Sequence, residues 1–431
     1  MKIRIVISSI VFLSYFLNTT LAFAQKSKSE FTASQQKAIK EVSLKDYASF
    51  KNSVKPLINE MSTKQIIGLG EGTHGTAEFY KVRYWITRIL IEEKGFNHVA
   101  FENDLTETWM FNEQLATTTD LNALMKQYML SLWQNEETKE LLQWVKDYNT
   151  KHDKKVSING IDYPVQKPDI LMLRQLLSKI QNTSLLPAIE SMSVAEDLQD
   201  GAWFGMNKKD YKADWQTLSP MVKKGYVTAD SVETELKKME IEPILKSNLL
   251  LAIGNLKQGF EPFYKRTPEG ARDSIMAYNT AQIIKSTNDK VVIWAHNAHL
   301  GKTGIYNNAA GGTGGYILKL FPNNYFVLGT GTATGKFGGT TDARAVNTSP
   351  ILPYQLENPI KGSWEEFLSS SQSANFYFNT AALNMTNEKK PLRFIGYGIK
   401  SGKTTYDSSN LTDLFDAFLF LRQTNEPTNL R

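Results

Sequence analysis

Short apolar segments that alternate with long amphipathic ones constrain this 431-residue chain more than any other feature. Residues 66–70 read as a buried strand, and Thr76–Lys94 then repeats apolar side chains at helical spacing before Gly95 ends the helix. Further strands are predicted at 97–102, 155–161, 290–295, 325–330 and 393–398. This alternation favours a mostly parallel central sheet flanked by helices, so the predicted fold class is α/β.

The segment from about 168 to 260 contains no strand pattern. It is rich in Lys, Glu, Leu and Met, and its periodicity predicts a helical insertion or cap beside the sheet. We predict that Trp203, Phe204 and Trp215 of this insertion line a substrate cleft, with ordinary packing between helices as the alternative explanation. We expect residues 25–431 to form a single α/β domain that includes the insertion.

The first 24 residues have the pattern of a secretory signal. Lys2 and Arg4 precede an apolar core over 5–17, and the small-x-small sequence at 22–24 is typical of a cleavage site. The core is short for a membrane span, and no later segment is apolar enough to be one. We therefore predict a signal peptide over 1–24 and an exported chain that is periplasmic or secreted. An uncleaved signal anchor is the alternative.

Composition excludes several kinds of site. The chain has no cysteine, which excludes disulfides, thiolate metal sites and cysteine nucleophiles. The formal net charge is +5 and falls to +3 without the two basic residues of the leader, and the remaining lysines are spread along the chain. We therefore expect no nucleic-acid partner.

Acidic and imidazole side chains follow four of the predicted strands. Glu71, Glu102, Asp162 and His296 each lie at or just past the carboxyl end of a different strand. In open parallel sheets the ligand crevice lies outside these ends, so we expect the four side chains to share one cleft. Helix capping is the alternative explanation, and it stays open for Asp162, which we also assign to substrate binding.

The glycine-rich turn G-L-G-E-G-T-H-G at Gly68–Gly75 brings Glu71 and His74 together just before a helix. The amino terminus of a helix disfavours an imidazolium ion, so we expect His74 to be neutral and able to accept a proton. A neutral imidazole that a carboxylate orients can activate water as a general base. His296 and His299 are candidates for transition-state stabilisation, for proton donation to a leaving group or for metal ligation.

Arg83 lies on the predicted buried face of the helix that follows this turn. An unpaired buried charge is costly, so its guanidinium requires a partner such as Glu71 or Glu102. We assign Glu102 and Arg83 to a supporting pair that positions the base and the water. An arginine that extends to solvent is the alternative.

Other chemistries fit these motifs less well. Gly70, Gly72 and Gly75 have the spacing of a dinucleotide-binding turn, but Glu71 would place a negative charge against the pyrophosphate. The G-x-S-x-G sequence of a serine nucleophile elbow does not occur. The histidines and glutamates form a possible nitrogen-and-oxygen ligand set. A catalytic divalent metal therefore stays open, although the favoured mechanism uses no cofactor.

Five blocks of the sequence resemble the erythromycin esterase family. They are G-L-G-E-G-T-H-G-T-A-E-F, G-F-N-H-V-A-F-E, N-G-I-D-Y, R-D-S-I-M-A-Y-N and V-V-I-W-A-H-N-A-H-L, and the likeness spans about residues 40–420. The resemblance implies an α/β core with a helical portion, and a hydrolase activity that opens the macrolactone ester of 14-membered macrolides such as erythromycin. It also implies that His74 is the essential base, acting directly on water, and that the other active-site positions are Glu71, Arg83, Glu102, His296 and His299.

Two features depart from the family pattern. Gly72 stands where the family more often has Ala, and the chain carries a predicted signal peptide although the well-known resistance esterases are cytoplasmic. The family also includes proteins associated with exopolysaccharide biosynthesis. The sequence therefore predicts a macrolide esterase that confers macrolide resistance. Its expected partners are a small-molecule macrolide substrate and water. The alternative is an exported member that acts on another ester, or that binds or processes cell-envelope polysaccharide.

Overall fold

The computed structural model describes residues 30–162, 165–180, 184–205, 207–265 and 271–430 of the chain. The predicted signal peptide lies outside these residues. Among the helices of the described ranges, none has both the length and the apolarity needed to cross a membrane.

A mostly parallel sheet of nine strands forms the centre of the described structure. Its strands are β1 (Lys40–Glu41), β2 (Ile66–Glu71), β3 (His98–Asp104), β4 (Ser157–Asp162), β5 (Val291–His296), β6 (Tyr325–Gly339), β7 (Leu352–Gln355), β8 (Asn375–Asn379) and β11 (Ala417–Thr424), whereas β9 (Lys390–Arg393) and β10 (Tyr406–Ser409) form a separate two-stranded sheet. The sheet runs in the order β1-β8-β11-β6-β2-β5-β3-β4, and β7 pairs with β6 outside this path. The six strands from β11 to β4 are parallel to one another, whereas β1, β7 and β8 pair antiparallel. The predicted α/β fold class is confirmed.

Helices connect these strands and cover the sheet. They are α1 (Ala33–Ala38), α2 (Tyr47–Ser53), α3 (Lys55–Met61), α4 (Ala77–Lys94), α5 (Leu105–Leu115), α6 (Leu121–Tyr128), α7 (Glu136–Lys151), α8 (Lys167–Lys179), α9 (Leu186–Gly205), α10 (Trp215–Lys238), α11 (Pro243–Lys265), α12 (Ala271–Ile283), α13 (Asn297–Leu300), α14 (Thr313–Leu320), α15 (Trp364–Ser369) and α16 (Leu411–Leu414). Short 3₁₀ turns lie at Ser131–Trp133, Thr380–Leu383 and Lys403–Thr405.

Both faces of the sheet are buried because successive side chains of a strand point to opposite sides. Ile67 of β2 packs on one face with Phe79 and Leu90 of α4. Its neighbour Ile66 packs on the other face with Ile317 of α14. Burial on both sides explains why the central strands read as continuous apolar runs rather than as alternating ones.

Five of the six predicted strands are confirmed within two residues at their starts, and β6 extends well beyond its predicted end to Gly339. The strand predicted at 393–398 is wrong. Only Arg393 of that segment belongs to a strand, β9, which pairs with β10 in a separate two-stranded sheet. The apolar residues that follow hold the turn after β2 instead, since His74 N donates to Ile395 O (2.9 Å) and Ile395 N donates to Gly72 O (2.9 Å).

The predicted helical insertion is confirmed as the four helices α8 to α11. These helices share a core of their own, in which Leu173, Ile189, Val222 and Ile253 are buried, and Met110 of α5 joins the same core. The contact through α5 matters for the site, because α5 begins directly after β3 at the carboxyl end of the sheet.

Candidate active site

The carboxyl ends of four neighbouring strands bring the predicted polar side chains together. β2, β5, β3 and β4 are adjacent in that order, and Glu71 at the end of β2 is in register with His296 at the end of β5. At the end of β4, Asp162 is in register with Asp104 of β3. Parallel pairing therefore places Glu71, Glu102, Asp162 and His296 along one edge, as the sequence predicts.

His74 is bound to a carboxylate through one ring nitrogen. Its Nδ1 lies 2.7 Å from Glu71 Oε1, and both side chains are buried. Arg83 Nη2 donates to the other oxygen, Glu71 Oε2, at 2.8 Å. Because an ionised carboxylate only accepts hydrogen bonds, the His74 proton belongs on Nδ1, and Nε2 is left as a lone-pair acceptor.

The turn that carries His74 is fixed by close backbone contacts. Gly75 has φ +66°, and a Cβ there would collide with the carbonyl of Gly338, so only glycine fits. At Gly72, a Cβ would lie 2.6 Å from Thr330 O, which means that the turn packs closer to β6 than an alanine allows without a shift. The helix α4 begins three residues after His74, at Ala77.

Arg83 lies inside a cage of aromatic rings. Its guanidinium carbon is 4.7 Å from the Trp294 ring centroid, 4.9 Å from that of Tyr80 and 5.4 Å from that of Trp133. Nε and Nη1 have no hydrogen-bond partner among the described residues. Cation–π attraction therefore replaces the missing hydrogen bonds of this buried cation.

The predicted pair of Arg83 with Glu102 is wrong, because Arg83 pairs with Glu71. Strand β5 lies between β2, which carries Glu71, and β3, which carries Glu102. Arg83 extends from α4 to the nearer of the two carboxylates, and Glu102 takes a different arginine.

Glu102 is the centre of a second group of charges. Its Oε1 lies 3.1 Å from Arg272 Nη2 and 3.3 Å from His299 Nε2, and its Oε2 accepts from the His296 N–H at 2.8 Å. Burial alone would raise the pKa of Glu102, but His299, His74 and Arg272 together hold it well below its ordinary value. Glu102 is therefore an ionised carboxylate, and Arg272 and His299 lie around it.

The two histidines after β5 have opposite protonation tendencies. Burial would lower the pKa of His299, but Glu102 and Asp273, whose Oδ1 is 2.8 Å from His299 Nδ1, raise it above its ordinary value. For His296, burial and the neighbouring His74 lower the pKa well below its ordinary value. His299 is thus suited to donate a proton as an imidazolium, and His296 remains neutral.

The neutral His296 keeps its proton on the nitrogen that has no partner. Its Nδ1 accepts from the Ala298 N–H at 3.3 Å, which assigns the proton to Nε2. Nε2 is buried without a hydrogen-bond partner among the described residues, and the ring centroid lies 4.8 Å from that of His74. An unsatisfied donor beside the base is a candidate for binding a developing oxyanion.

Arg272 and Asp273 are functional candidates that the sequence reasoning missed. They lie at the start of α12, more than a hundred residues from Asp162 and Glu102, and follow no strand. Their signal in the sequence is the block R-D-S-I-M-A-Y-N, which belongs to the family resemblance but follows no strand pattern. Asp162 is buried beneath Arg272 as its ion-pair partner, so its predicted role in direct substrate binding is replaced by a role in holding Arg272.

The aromatic residues of the insertion divide between two environments. Trp203 and Phe204 line a cleft of about 480 Å³ between the insertion and the helices α5 and α6. Trp215 stacks on Phe263 with ring centroids 6.1 Å apart and does not line this cleft. About half of Trp215 is exposed, and its contact is with Phe263 of the neighbouring helix α11.

The side chains of the site do not form a metal centre in this arrangement. Their carboxylates are joined to Arg83, to Arg272 or to the imidazoles, and within the described ranges no three His, Asp or Glu side chains are grouped to hold a metal ion.

Comparison with known proteins identifies relatives of this chain. A family model described as Erythromycin esterase matches residues 91–424, which is more than half of the chain. Erythromycin esterase type II of Escherichia coli is 23% identical over 355 residues, 75% of this chain and 82% of that protein. Erythromycin esterase type I of Escherichia coli is 25% identical over 281 residues, 59% of this chain and 66% of that protein.

Solved structures of low sequence identity share the fold. A crystal structure of a succinoglycan biosynthesis protein has a TM-score of 0.74 at 19% identity and covers 92% of this chain and 97% of its own. A mutant of the erythromycin esterase EreC in its open conformation has a TM-score of 0.66 at 17% identity and covers 92% and 98%. Glu102, Arg272, His296 and His299 lie inside the range that the family model matches, whereas the turn with Glu71 and His74 precedes it.

Proposed function

The chain belongs to the erythromycin esterase family, and from this premise we propose that it hydrolyses the macrolactone ester of 14-membered macrolides such as erythromycin. One observation carries the proposal. His74 is held by Glu71 at 2.7 Å through Nδ1, so its Nε2 lone pair is left to take a proton from water. The product is the ring-opened hydroxy acid, and loss of the ring would confer resistance to the antibiotic.

The first step is the attack of water on the ester carbonyl carbon. His74 Nε2 removes one proton from the water as its oxygen bonds to that carbon, and Glu71 stabilises the imidazolium that forms. Arg83 Nη2, at 2.8 Å, holds the Glu71 carboxylate in position. A positioned general base of this kind typically contributes about 10²–10⁴-fold to a rate.

The second requirement is stabilisation of the oxyanion that the attack creates. Nε2–H of the neutral His296 is a donor without a partner among the described residues, and its ring neighbours that of His74. A donor that is already oriented in a buried site stabilises developing charge more than water does, since it needs no reorganisation.

The third requirement is a proton for the leaving alkoxide. His299 is the proposed donor, because Glu102 and Asp273 raise its pKa and favour the imidazolium. As the carbon–oxygen bond of the ester breaks, His299 protonates the alkoxide and becomes neutral. His74 returns its extra proton to solvent and His299 regains one, so the net reaction consumes one water and leaves the enzyme unchanged.

A second candidate function follows from the likeness to a protein named for succinoglycan biosynthesis, with a TM-score of 0.74. In that case the same base and acid would act on another ester, such as an acyl group on a cell-envelope polysaccharide. The export pattern at residues 1–24 favours this candidate. For either substrate we propose a periplasmic or secreted location.

Mass spectrometry of erythromycin incubated with the purified protein tests the proposal. We expect the substrate to gain one water in the presence of a chelator, and we expect no gain with His74→Ala. The matched control is His98→Ala, which removes an imidazole from the opposite end of the same sheet. Unchanged erythromycin with the wild-type protein would overturn macrolide hydrolysis, and parallel assays on acylated polysaccharide would then test the second candidate.

A further inference from the structure

The amino end of α14 lies against α13, the helix that carries His299. Gly312 N donates to Ala298 O at 3.0 Å, and the φ angles of Gly311 and Gly312 are +77° and +91°. A Cβ at Gly311 would collide with the same carbonyl oxygen, so this close approach needs glycine. The two glycines thereby bring Thr313, the first residue of α14, to the proposed acid.

Asp273 lies between this helix end and the imidazole. Its Oδ1 accepts from Thr313 Oγ1 at 2.7 Å and lies 2.8 Å from His299 Nδ1. Its Oδ2 accepts from Gly311 N at 3.0 Å. Thr313 and Asp273 are both buried, so protein donors rather than bulk water hold the two oxygens. The hydroxyl and the amide therefore fix both the position and the plane of the carboxylate.

The Thr313 hydroxyl is directed at this carboxylate rather than at its apolar neighbour. Its second contact is with Met276 Sδ at 3.9 Å, and a thioether is a much weaker acceptor than an ionised oxygen. Burial would raise the pKa of Asp273, but hydrogen bonds from His299 and Thr313 and the charge of Arg272 hold it below its ordinary value. Asp273 is therefore ionised, and Thr313 is one of the groups that keep it so.

An ionised Asp273 decides which nitrogen of His299 carries the proton that moves. A carboxylate only accepts hydrogen bonds, so Nδ1 keeps its proton in both the charged and the neutral imidazole. The proton that leaves is therefore on Nε2, which lies 3.3 Å from Glu102 Oε1 and 3.3 Å from Arg272 Nη1. If the Asp273 carboxylate rotated away, the neutral ring could hold its proton on either nitrogen.

We propose that Thr313 is a positioning residue for ester hydrolysis. Acting through Asp273, its hydroxyl fixes the His299 imidazole so that Nε2 delivers the proton to the leaving alkoxide. Thr313 is fully buried, so it acts on the substrate only through His299. The inference rests on the proposed function for the role of His299 as the acid, whereas the effect of Thr313 on the imidazole does not depend on the substrate.

Nitrogen NMR of the full protein with isotope-labelled histidine tests this role without a substrate. The chain has five histidines, so the His299 signals can be assigned by their loss in His299→Gln. Above the pH at which His299 becomes neutral, we expect the wild-type protein to carry the proton on Nδ1. We expect Thr313→Val to show averaged shifts of the two tautomers. An unchanged His299 spectrum in Thr313→Val would overturn the proposal.

Two comparisons separate the hydroxyl from the shape of the side chain. Thr313→Ser keeps the donor and should retain the wild-type tautomer, whereas Thr313→Ala lacks only that hydroxyl by comparison and should behave like Thr313→Val. The control is Thr303→Val, because Thr303 is exposed in the loop between α13 and α14 and its side chain has no hydrogen-bond partner among the described residues. Equal spectra of Thr313→Ser and Thr313→Ala, or a changed tautomer in Thr303→Val, would contradict the role of the hydroxyl.

The dependence on the leaving group separates a weakened acid from a general loss of structure. Thr313→Val should lower kcat for erythromycin about tenfold, the order expected for one hydrogen bond to a charged group, with KM unchanged and with the rate restored in Thr313→Ser. A nitrophenyl ester should be hydrolysed at the wild-type rate, because nitrophenolate leaves without a proton. An equal loss on both esters would overturn the proposal. If the wild type hydrolysed neither ester, the proposed function would fail, and the NMR comparison would decide the role of Thr313.

Discussion

The two ends of the central sheet carry similar residue types in different arrangements. At the carboxyl end, His74 is bonded to Glu71 through Nδ1, and its Nε2 has no hydrogen-bond partner among the described residues. At the amino end, His98 Nδ1 lies 2.6 Å from Ser157 Oγ, and its Nε2 lies 3.3 Å from Asp289 Oδ1. A serine, an imidazole and a carboxylate thus stand in a row at the end that we do not assign to catalysis.

The two imidazoles differ in whether a ring nitrogen is left without a hydrogen-bond partner among the described residues. Both ring nitrogens of His98 are occupied, and Asp289 also accepts from the N–H groups of Lys285 (3.0 Å) and Ser286 (2.7 Å) through Oδ2. The pKa of His98 is lowered, mainly by burial, so it serves as a neutral link between strands. Residue types alone do not make a hydrolytic site, which also needs a ring nitrogen directed at the substrate.

The largest expected effect separates the two imidazoles. His74→Ala should lower the rate of ester hydrolysis by about 10²–10⁴-fold, because the general base is lost. His98→Ala should keep the wild-type rate. The measurement is the initial rate of product formation at saturating substrate, after circular dichroism has established that both variants are folded. Equal rates in the two variants would contradict the assignment of the base.

The next effect concerns two arginines of the same helix. Arg83→Met leaves Glu71 buried without its guanidinium and should destabilise the protein by about 3–5 kcal/mol. Arg88, which forms a partly exposed pair with Glu92 towards the amino end, should cost at most about 1 kcal/mol when changed to Met. Urea unfolding of both variants measures the difference. A loss at Arg83 no larger than that at Arg88 would show that neither the ion pair with Glu71 nor the cation–π contacts contribute measurably to stability.

A pH profile distinguishes the carboxylates that contact the two histidines. In the folded protein the pKa of His299 is raised. His299 therefore keeps its proton at the pH where an ordinary histidine loses it, and it loses the proton only at higher pH. Asp273→Asn removes one cause of that shift, so the high-pH limb of kcat should move to lower pH by about one unit. Asp289→Asn, at the amino end, should leave the limb where it is. A limb that does not move in Asp273→Asn would exclude His299 as the acid.

The smallest expected effect concerns the row of Ser157, His98 and Asp289 at the amino end of the sheet. Ser157→Ala should lower the free energy of unfolding by about 1 kcal/mol, through loss of the hydrogen bond to His98, and should leave ester hydrolysis unchanged. Thermal unfolding and the hydrolysis assay give the two readings. Loss of hydrolysis with retained stability would place a second catalytic site at the amino end and would reverse the comparison.

Sequence patterns predicted the elements and the edge of the sheet that carries the site. Buried parallel strands are continuous apolar runs, so the sequence predicted β2, β3, β4, β5 and β6. Because these strands pair in parallel, their carboxyl ends lie at the same edge of the sheet. The short strand β9 was misplaced because the apolar residues after Arg393 satisfy the backbone of the turn at His74 rather than a neighbouring strand. A strand-like composition does not specify which backbone groups a segment will hydrogen-bond to.

The sequence by itself determined the α/β class, the glycine-rich turn and the residues Glu71, His74, Glu102, His296 and His299, because each follows from a local period or from the position of a residue at a strand end. Only the tertiary structure decided which charges meet. Arg83 takes Glu71 since β5 separates it from Glu102, and Arg272 joins Glu102 to Asp162 from a helix more than a hundred residues later in the chain. Charges pair by distance in space, which the order of strands and the placement of the insertion fix together.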